Sequence, residues 1–136
     1  PKARKSDPAS ATFRFDAWRA VMNWSVDHAW WAADVRQREL ANRLLRFFWS
    51  RGISSHGNNF TLDGAETSKD HSPGLVSMNA FAALAATDAV AWRFVDELWS
   101  QPVPVGKWRY YDGMLYLLGL LNASGKYRVW TPPATP

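Results

Sequence analysis

The sequence predicts an all-α fold in which two kinds of helix alternate, as they do in about half of an α/α toroid. Two observations predict it. Apolar residues recur at spacings of three and four through five segments, which is the helical period. Those segments take strict turns, one apolar on nearly every side and the next striped on one side and charged on the rest. An up-down bundle would give every helix the same one-sided stripe. Two kinds of helix imply two layers, with inner helices wrapped all round and outer helices touching only the inner ring. Five helices make roughly half of such a ring, and half a ring leaves broad apolar flanks bare. The chain is therefore expected to form part of a larger barrel.

Residues 1–11 are polar and proline-containing, and are expected to form a flexible arm. From Thr12 runs "TFRFDAWRAVMNWSVDHAWWAAD", with Phe15, Trp18, Met22, Val26 and Ala29 at helical spacing. Val21, Trp24, Trp30 and Trp31 make its other sides apolar, so a buried helix is predicted. One narrow polar stripe remains, Asp16, Arg19, Asn23 and Asp27, all on one face. Asp27 and His28 are read as satisfied polar groups of the core. In "DVRQRELANRLLRFFWSRG" the stripe is Leu40, Leu44, Phe47 and Phe48, and Gly52 stops the helix. Residues 53–73 are rich in Gly, Ser, Asn and Asp and form a long loop, with a short extended piece at Phe60 to Leu62. "GLVSMNAFAALAA" is apolar again. "TDAVAWRFVDELWSQ" is amphipathic, with Thr87 or Asp88 as candidate N-cap. "PVPVGK" is a turn, "WRYYDGMLYLLGLLNASG" a third apolar helix ending at Gly125, and "KYRVW" a short strand or loop before a tail at 131–136.

Composition narrows the function. The chain of 136 residues is long enough for one domain with a core. It carries nine tryptophans, whose large apolar body and polar tip suit a thick core or a groove for sugar rings. With no cysteine, neither a disulfide nor a thiolate metal site can form. His28, His56 and His71 lie far apart, and Asp63, Glu66 and Asp70 lack the alternate-position pattern of a calcium loop, so no metal and no cofactor is expected. The net charge is +4, yet the basic residues are scattered. Lys2, Arg4 and Lys5 open the chain, while Arg36, Arg38, Arg43, Arg46 and Arg51 alternate with Asp34 and Glu39 as on a solvated helix face. Neither nucleic acid nor membrane is an expected partner, since no apolar run approaches the ~18 residues of a span. "NFT" at Asn59 and "NAS" at Asn122 match glycosylation acceptors, a pattern that also arises by chance. The opening Pro1 and the absence of a signal peptide suggest a chain cut from something longer, and leave the compartment open.

Three stretches resemble glycoside hydrolase family 8, the inverting enzymes of (α/α)6 barrel fold. They are "FRFDAWR", "HSPGLVSMNAFAALAA" and "KWRYYDGMLYLLGLL", in the family's order. The resemblance runs from about Phe13 to Leu121 and matches only the C-terminal third or so of a family member. It implies one unit, 1–136, as the C-terminal portion of a single catalytic barrel. The variant motifs are similar to the xylan-active branch, which includes xylanases and reducing-end xylose-releasing exo-oligoxylanases. That similarity implies cleavage of β-1,4-xylosidic bonds in xylan or xylo-oligosaccharides. It implies Asp16 as general base, Arg19 as its support, and Phe15, Trp108, Tyr110 and Tyr111 as sugar contacts. His71 stands where exo-acting members place a loop histidine that blocks the reducing-end side. An exo-acting enzyme would be cytoplasmic and an endo-acting one secreted. The family's general acid, a glutamate near the start of the barrel, has no counterpart here, so this chain alone is expected to be inactive and to need the N-terminal remainder.

The chemistry of Asp16 is consistent with that role. Inverting hydrolysis needs one carboxylate to activate water and an opposed carboxylic acid about 6.5–9.5 Å away. Burial raises a carboxyl pKa and a nearby cation lowers it, so Arg19, one turn on, suits a buried base. From the residues alone, an Asp–Arg pair that merely closes the polar stripe is the favoured reading, and the resemblance reverses that order. The alternatives are a β-glucanase or chitosanase of the same family, a different α/α-toroid sugar enzyme such as an epimerase or lyase, and, from another class, a non-catalytic helical module that binds carbohydrate or protein.

Overall fold

A computed structural model describes residues 11–131. The expected arm and tail lie outside these residues, apart from Ala11 and Thr131. Among the described residues there are five helices and two very short strands: β1 (Thr12–Phe13), α1 (Asp16–Trp31), α2 (Val35–Arg51), β2 (Phe60–Thr61), α3 (Pro73–Ala85), α4 (Ala91–Ser100) and α5 (Arg109–Ala123). β1 and β2 pair antiparallel, Thr12 against Thr61 and Phe13 against Phe60.

The centre of the molecule is α3, against which α1, α2, α4 and α5 all pack. Its sequence explains this. It carries no charge, Ser72 caps it by accepting from the Gly74 amide, and Pro73 occupies the first turn, where a missing N–H costs nothing. Every residue from Gly74 to Ala82 is buried. α5 comes close because Gly119 has no side chain; a Cβ there would lie 2.9 Å from the Ser77 Cβ. α2 and α4 are one-sided, burying Ala41, Leu45 and Phe48 and Ala91, Phe94 and Leu98 respectively. The alternation of inner (α1, α3, α5) and outer (α2, α4) helices is therefore present.

Several details differ from expectation. α1 begins at Asp16 rather than Thr12, because Thr12 and Phe13 are drawn into the ladder with β2. α1 and α5 are not wrapped all round: α1 buries only Trp18, Val21 and Ser25, while Trp30 and Trp31 are exposed, and Met114 and Leu117 of α5 are exposed too. On α2 the buried stripe is Ala41, Leu45 and Phe48, and Leu40 is exposed. Thr87 and Asp88 do not cap α4, which starts after Val90 with no side-chain cap. Instead their amides are both held by Asn42 Oδ1, at 2.8 and 3.1 Å, and Asp88 pairs with Arg46, which ties the α3–α4 turn to α2. Asp27 and His28 are not satisfied core groups. Asp27 is exposed and accepts from Gln37, whereas the half-buried His28 leaves Nδ1 without a partner. Asn122 is buried within α5, out of reach of any glycosylating enzyme.

Candidate functional site

The N-terminal ends of the three inner helices converge on one cleft of about 240 Å³. Phe15 comes from the start of α1, Ser72 and Pro73 from the start of α3, and Trp108, Tyr111 and Asp112 from the start of α5. The loop before α3 closes one side with Asn58, Asn59, Asp70 and His71, and Trp18 lies at the floor. Helix N-termini present positive partial charge and unpaired N–H groups, so this end of the inner layer favours electron-rich ligands.

The aromatic residues form a continuous surface. Phe15 lies 5.3 Å from Trp18, 6.4 Å from Trp108 and 6.3 Å edge-on from Tyr111, measured between ring centres, and Trp18 is 6.1 Å from Tyr111. Trp108 is over half exposed. The shape depends on an unusual backbone. Phe15, the residue before α1, has φ 41° and ψ −99°, a region that a residue with a Cβ avoids. Such strain concentrates where the surrounding structure needs a particular orientation. Here it sets the Phe15 ring over the cleft and places Asp16 at once in the first turn of the helix.

Asp16 is not buried, contrary to expectation; its side chain is 83% exposed. As the first residue of α1 it follows Phe15 directly, yet neither it nor Arg19 is among the residues that line the cleft. Arg19 donates to its Oδ1 at 2.6 Å, so the expected pair is present. The pair's charges act on the Tyr111 hydroxyl: burial pushes its pKa up, Arg19 opposes this, and Asp16 and Asp112 add to it. Tyr111 and Trp108 line the cleft together, as their spacing at an inner-helix start implies. Tyr110 does not; it is 80% exposed and absent from the lining, because neighbouring positions on a helix point in different directions.

His71 lies in the cleft wall, half-buried, and the loop that carries it is firmly held. Its Nδ1 donates to the His56 carbonyl at 2.8 Å, and its ring meets His56 edge-on at 4.7 Å. His56 is 1% exposed and donates from Nδ1 to the Gly57 carbonyl, leaving Nε2 to face the Asn79 amide on α3. Burial, with the nearby His71, keeps the His56 pKa below the usual histidine value, against the opposing effect of its bond to Gly57 and of Glu97 and Glu66. Gly57 itself must be glycine, since a Cβ would meet the Ser68 carbonyl at 1.8 Å. Glu66 accepts from the Gly57 amide and from Lys69, which closes the loop on itself.

The sequence reading missed Asp112 and Ser72. Ser72 donates to Asp112 Oδ1 at 2.7 Å, and burial raises the Asp112 pKa against the lowering effect of the Ser72 bond and the Gly74 amide. The signal was available: Asp112 is four residues after Trp108 and so shares its helix face. No group of three or more potential metal ligands occurs among the described residues.

No family model matches the chain. It is 37% identical over 120 residues to the reducing-end xylose-releasing exo-oligoxylanase Rex8A of Paenibacillus barcinonensis, covering 87% of this chain and 31% of that protein. It superimposes on the crystal structure of a GH8 xylobiose complex from Teredinibacter turnerae with a TM-score of 0.91 at 45% identity, over 97% of this chain and 33% of the other. This chain is part of a glycoside hydrolase family 8 barrel. It spans about a third of the length of these relatives. More distantly, it is 27% identical over 121 residues to Endoglucanase A of Acetivibrio thermocellus, across 87% of this chain and 24% of that protein. In family 8 terms, the five helices are a run of inner and outer helices, and the cleft lies at the N-terminal end of the inner layer.

Proposed function

We propose that these residues are the C-terminal portion of an inverting glycoside hydrolase that cleaves β-1,4-xylosidic bonds in xylo-oligosaccharides or xylan, with Asp16 as the general base. The observation that carries this reading is the strained Phe15 turn, which puts an aromatic ring in the cleft lining and, at the next position, an exposed carboxylate paired with Arg19. In this reading Phe15, Trp108 and Tyr111 stack on sugar faces. The exposure of Asp16 suits a base that must meet a water molecule. Arg19 orients the carboxylate, since an ion pair this open adds little stability. His71 limits the cleft on the loop side, which favours short substrates held at one end. The proton donor comes from the remainder of the barrel, which also covers the bare apolar flanks of α1 and α5. The similarity to a xylose-releasing exo-oligoxylanase and to a xylobiose-bound structure supports xylan-type substrates over β-glucans.

The test uses the intact protein that contains this segment. Asp16→Asn should lower turnover of xylotriose about 10²- to 10⁴-fold, the usual worth of a general base, while leaving its affinity for xylotriose within a few-fold. The fresh reducing end, followed by NMR, should appear with inverted configuration. Retained turnover with lost binding would overturn the assignment of Asp16.

A further inference from the structure

Asp112 has features that its contact with Ser72 alone does not explain. Its carboxyl lines the cleft, yet Ser72 engages only Oδ1, and no side chain donates to Oδ2. The position is also built for it. A Cβ at Gly74 would lie 2.5 Å from Asp112 Oδ1, so α3 gives up a side chain in its first turn to admit the carboxyl. The Ser72 hydroxyl is itself fixed, accepting from the Gly74 amide at 3.2 Å while it donates to Asp112. The Ser72 hydroxyl and the Gly74 amide thus both act on this carboxyl, while no side chain occupies Oδ2. Close by in the same cleft are further polar groups without a hydrogen-bond partner: Asn58, 7% exposed, has an unpartnered Oδ1, and the Tyr111 hydroxyl is unpartnered too. Buried polar groups in native proteins are ordinarily paired, and a cluster of unpaired ones beside stacking rings suits a ligand with many hydroxyls.

Resting on the hydrolase reading above, we propose that Asp112 is a substrate-positioning residue whose free Oδ2 accepts a hydrogen bond from a pyranose hydroxyl, with Ser72 and Gly74 holding it in register. A site built to bond a hydroxyl discriminates strongly, because an unfilled partner is left buried and unpaired. The position of Asp112, on the same helix face as Trp108, then links stacking on one residue to hydroxyl recognition by the other. Partial burial, which raises its pKa, makes the contact sensitive to acid: once protonated, Asp112 loses the charge that strengthens the bond.

The experiment measures xylotriose binding by calorimetry, in the intact protein carrying Asp16→Asn so that no turnover intervenes. Adding Asp112→Asn should weaken binding about ten- to hundredfold, the usual worth of a hydrogen bond to a charged group. Its amide oxygen can still accept from Ser72, so melting temperature should hold. Ser72→Ala should weaken binding by a smaller factor. Affinity of the parent should fall as pH drops through the raised titration of Asp112, and affinity of the Asp112→Asn protein should stay flat over that range. Asp70 and His71 from the loop, Tyr111 beside it and Arg19 on α1 are the other ionisable groups around it; they are common to both proteins, so the difference in slope belongs to Asp112. Equal affinity and equal pH dependence in the two proteins would overturn the proposal and leave the hydrolase reading standing. Failure of the Asp16→Asn parent itself to bind xylotriose would overturn both.

Discussion

Helices α3 and α1 deliver their N-terminal ends to the same cleft, and they pack against each other. They are built for opposite purposes. α3 is capped by Ser72, opened by Pro73 and covered on every side by the other four helices. α1 starts from a strained residue with no side-chain cap, buries three residues of sixteen, and shows a charged face to solvent. Stability is concentrated in α3, where apolar side chains meet apolar neighbours. In the proposed reading reactivity is concentrated at the start of α1, where the Asp16 carboxylate is open to water and the Phe15 ring lines the cleft. A helix buried as α3 is could not hold an accessible acid, and a helix exposed as α1 is could not nucleate a core.

The largest effect should come from breaking α3. Phe81 is fully buried there and meets Tyr127 edge-on at 5.8 Å. Phe81→Ala should cost about 3–5 kcal/mol, read from denaturant unfolding, through lost burial and the cavity left behind. A cost below ~1 kcal/mol would show that α3 is not the centre the packing indicates. A smaller effect should come from His56, which anchors the loop to α3 through Asn79. Its pKa is depressed in the folded state, so as pH falls below the unfolded histidine value of about 6.5 the unfolded chain takes up a proton that the folded one resists. Stability contributed by neutral His56 is therefore present above pH ~6.5 and lost below it, by at most about 1.4 kcal/mol per pH unit. The lowered carboxyl groups Asp34, Glu66 and Asp88 lose their contributions only at more acid pH, below their usual values. Thermal melts between pH 7 and pH 5 should show this slope, and His56→Gln should flatten it; an unchanged slope would place the sensitivity elsewhere.

The contrast between α1 and α3 also shows what the sequence can reveal. Periodicity located all five helices, and Gly52 marked a real boundary, because these signals are local. The burial of α1 was misread for a physical reason. Trp24, Trp30 and Trp31 mark it as apolar, but whether an apolar face is covered depends on neighbours that periodicity does not describe. Leu40 failed likewise: it fits the stripe of α2, yet it is exposed. At the site, Phe15, Trp108 and Tyr111 were legible as aromatics at helix starts. Tyr110 was not separable from them in a run of three aromatics interrupted only by Arg109, and Asp112 was overlooked because its importance comes from Ser72, 40 positions away in the chain.

The finest test of the contrast is at Phe15, where local strain and function meet. Its φ of 41° costs a residue bearing a Cβ about 1–3 kcal/mol, and glycine nothing comparable. The residue is 36% exposed, and truncation also removes ring contacts with Trp18 and Tyr111. A single variant mixes these effects, and a pair separates them. Phe15→Ala loses the ring and keeps the strain, whereas Phe15→Gly loses the ring and the strain together. Glycine ordinarily destabilises relative to alanine by roughly 0.5–1 kcal/mol through the entropy of the unfolded chain. Here the order should reverse, with the glycine variant more stable than the alanine variant by up to about 2 kcal/mol in chemical denaturation. Both should bind xylotriose more weakly than the parent, because both lack the ring. Alanine equal to or better than glycine would mean that the turn stores no strain. α1 would then differ from α3 in what surrounds it and not in how its first residue is held.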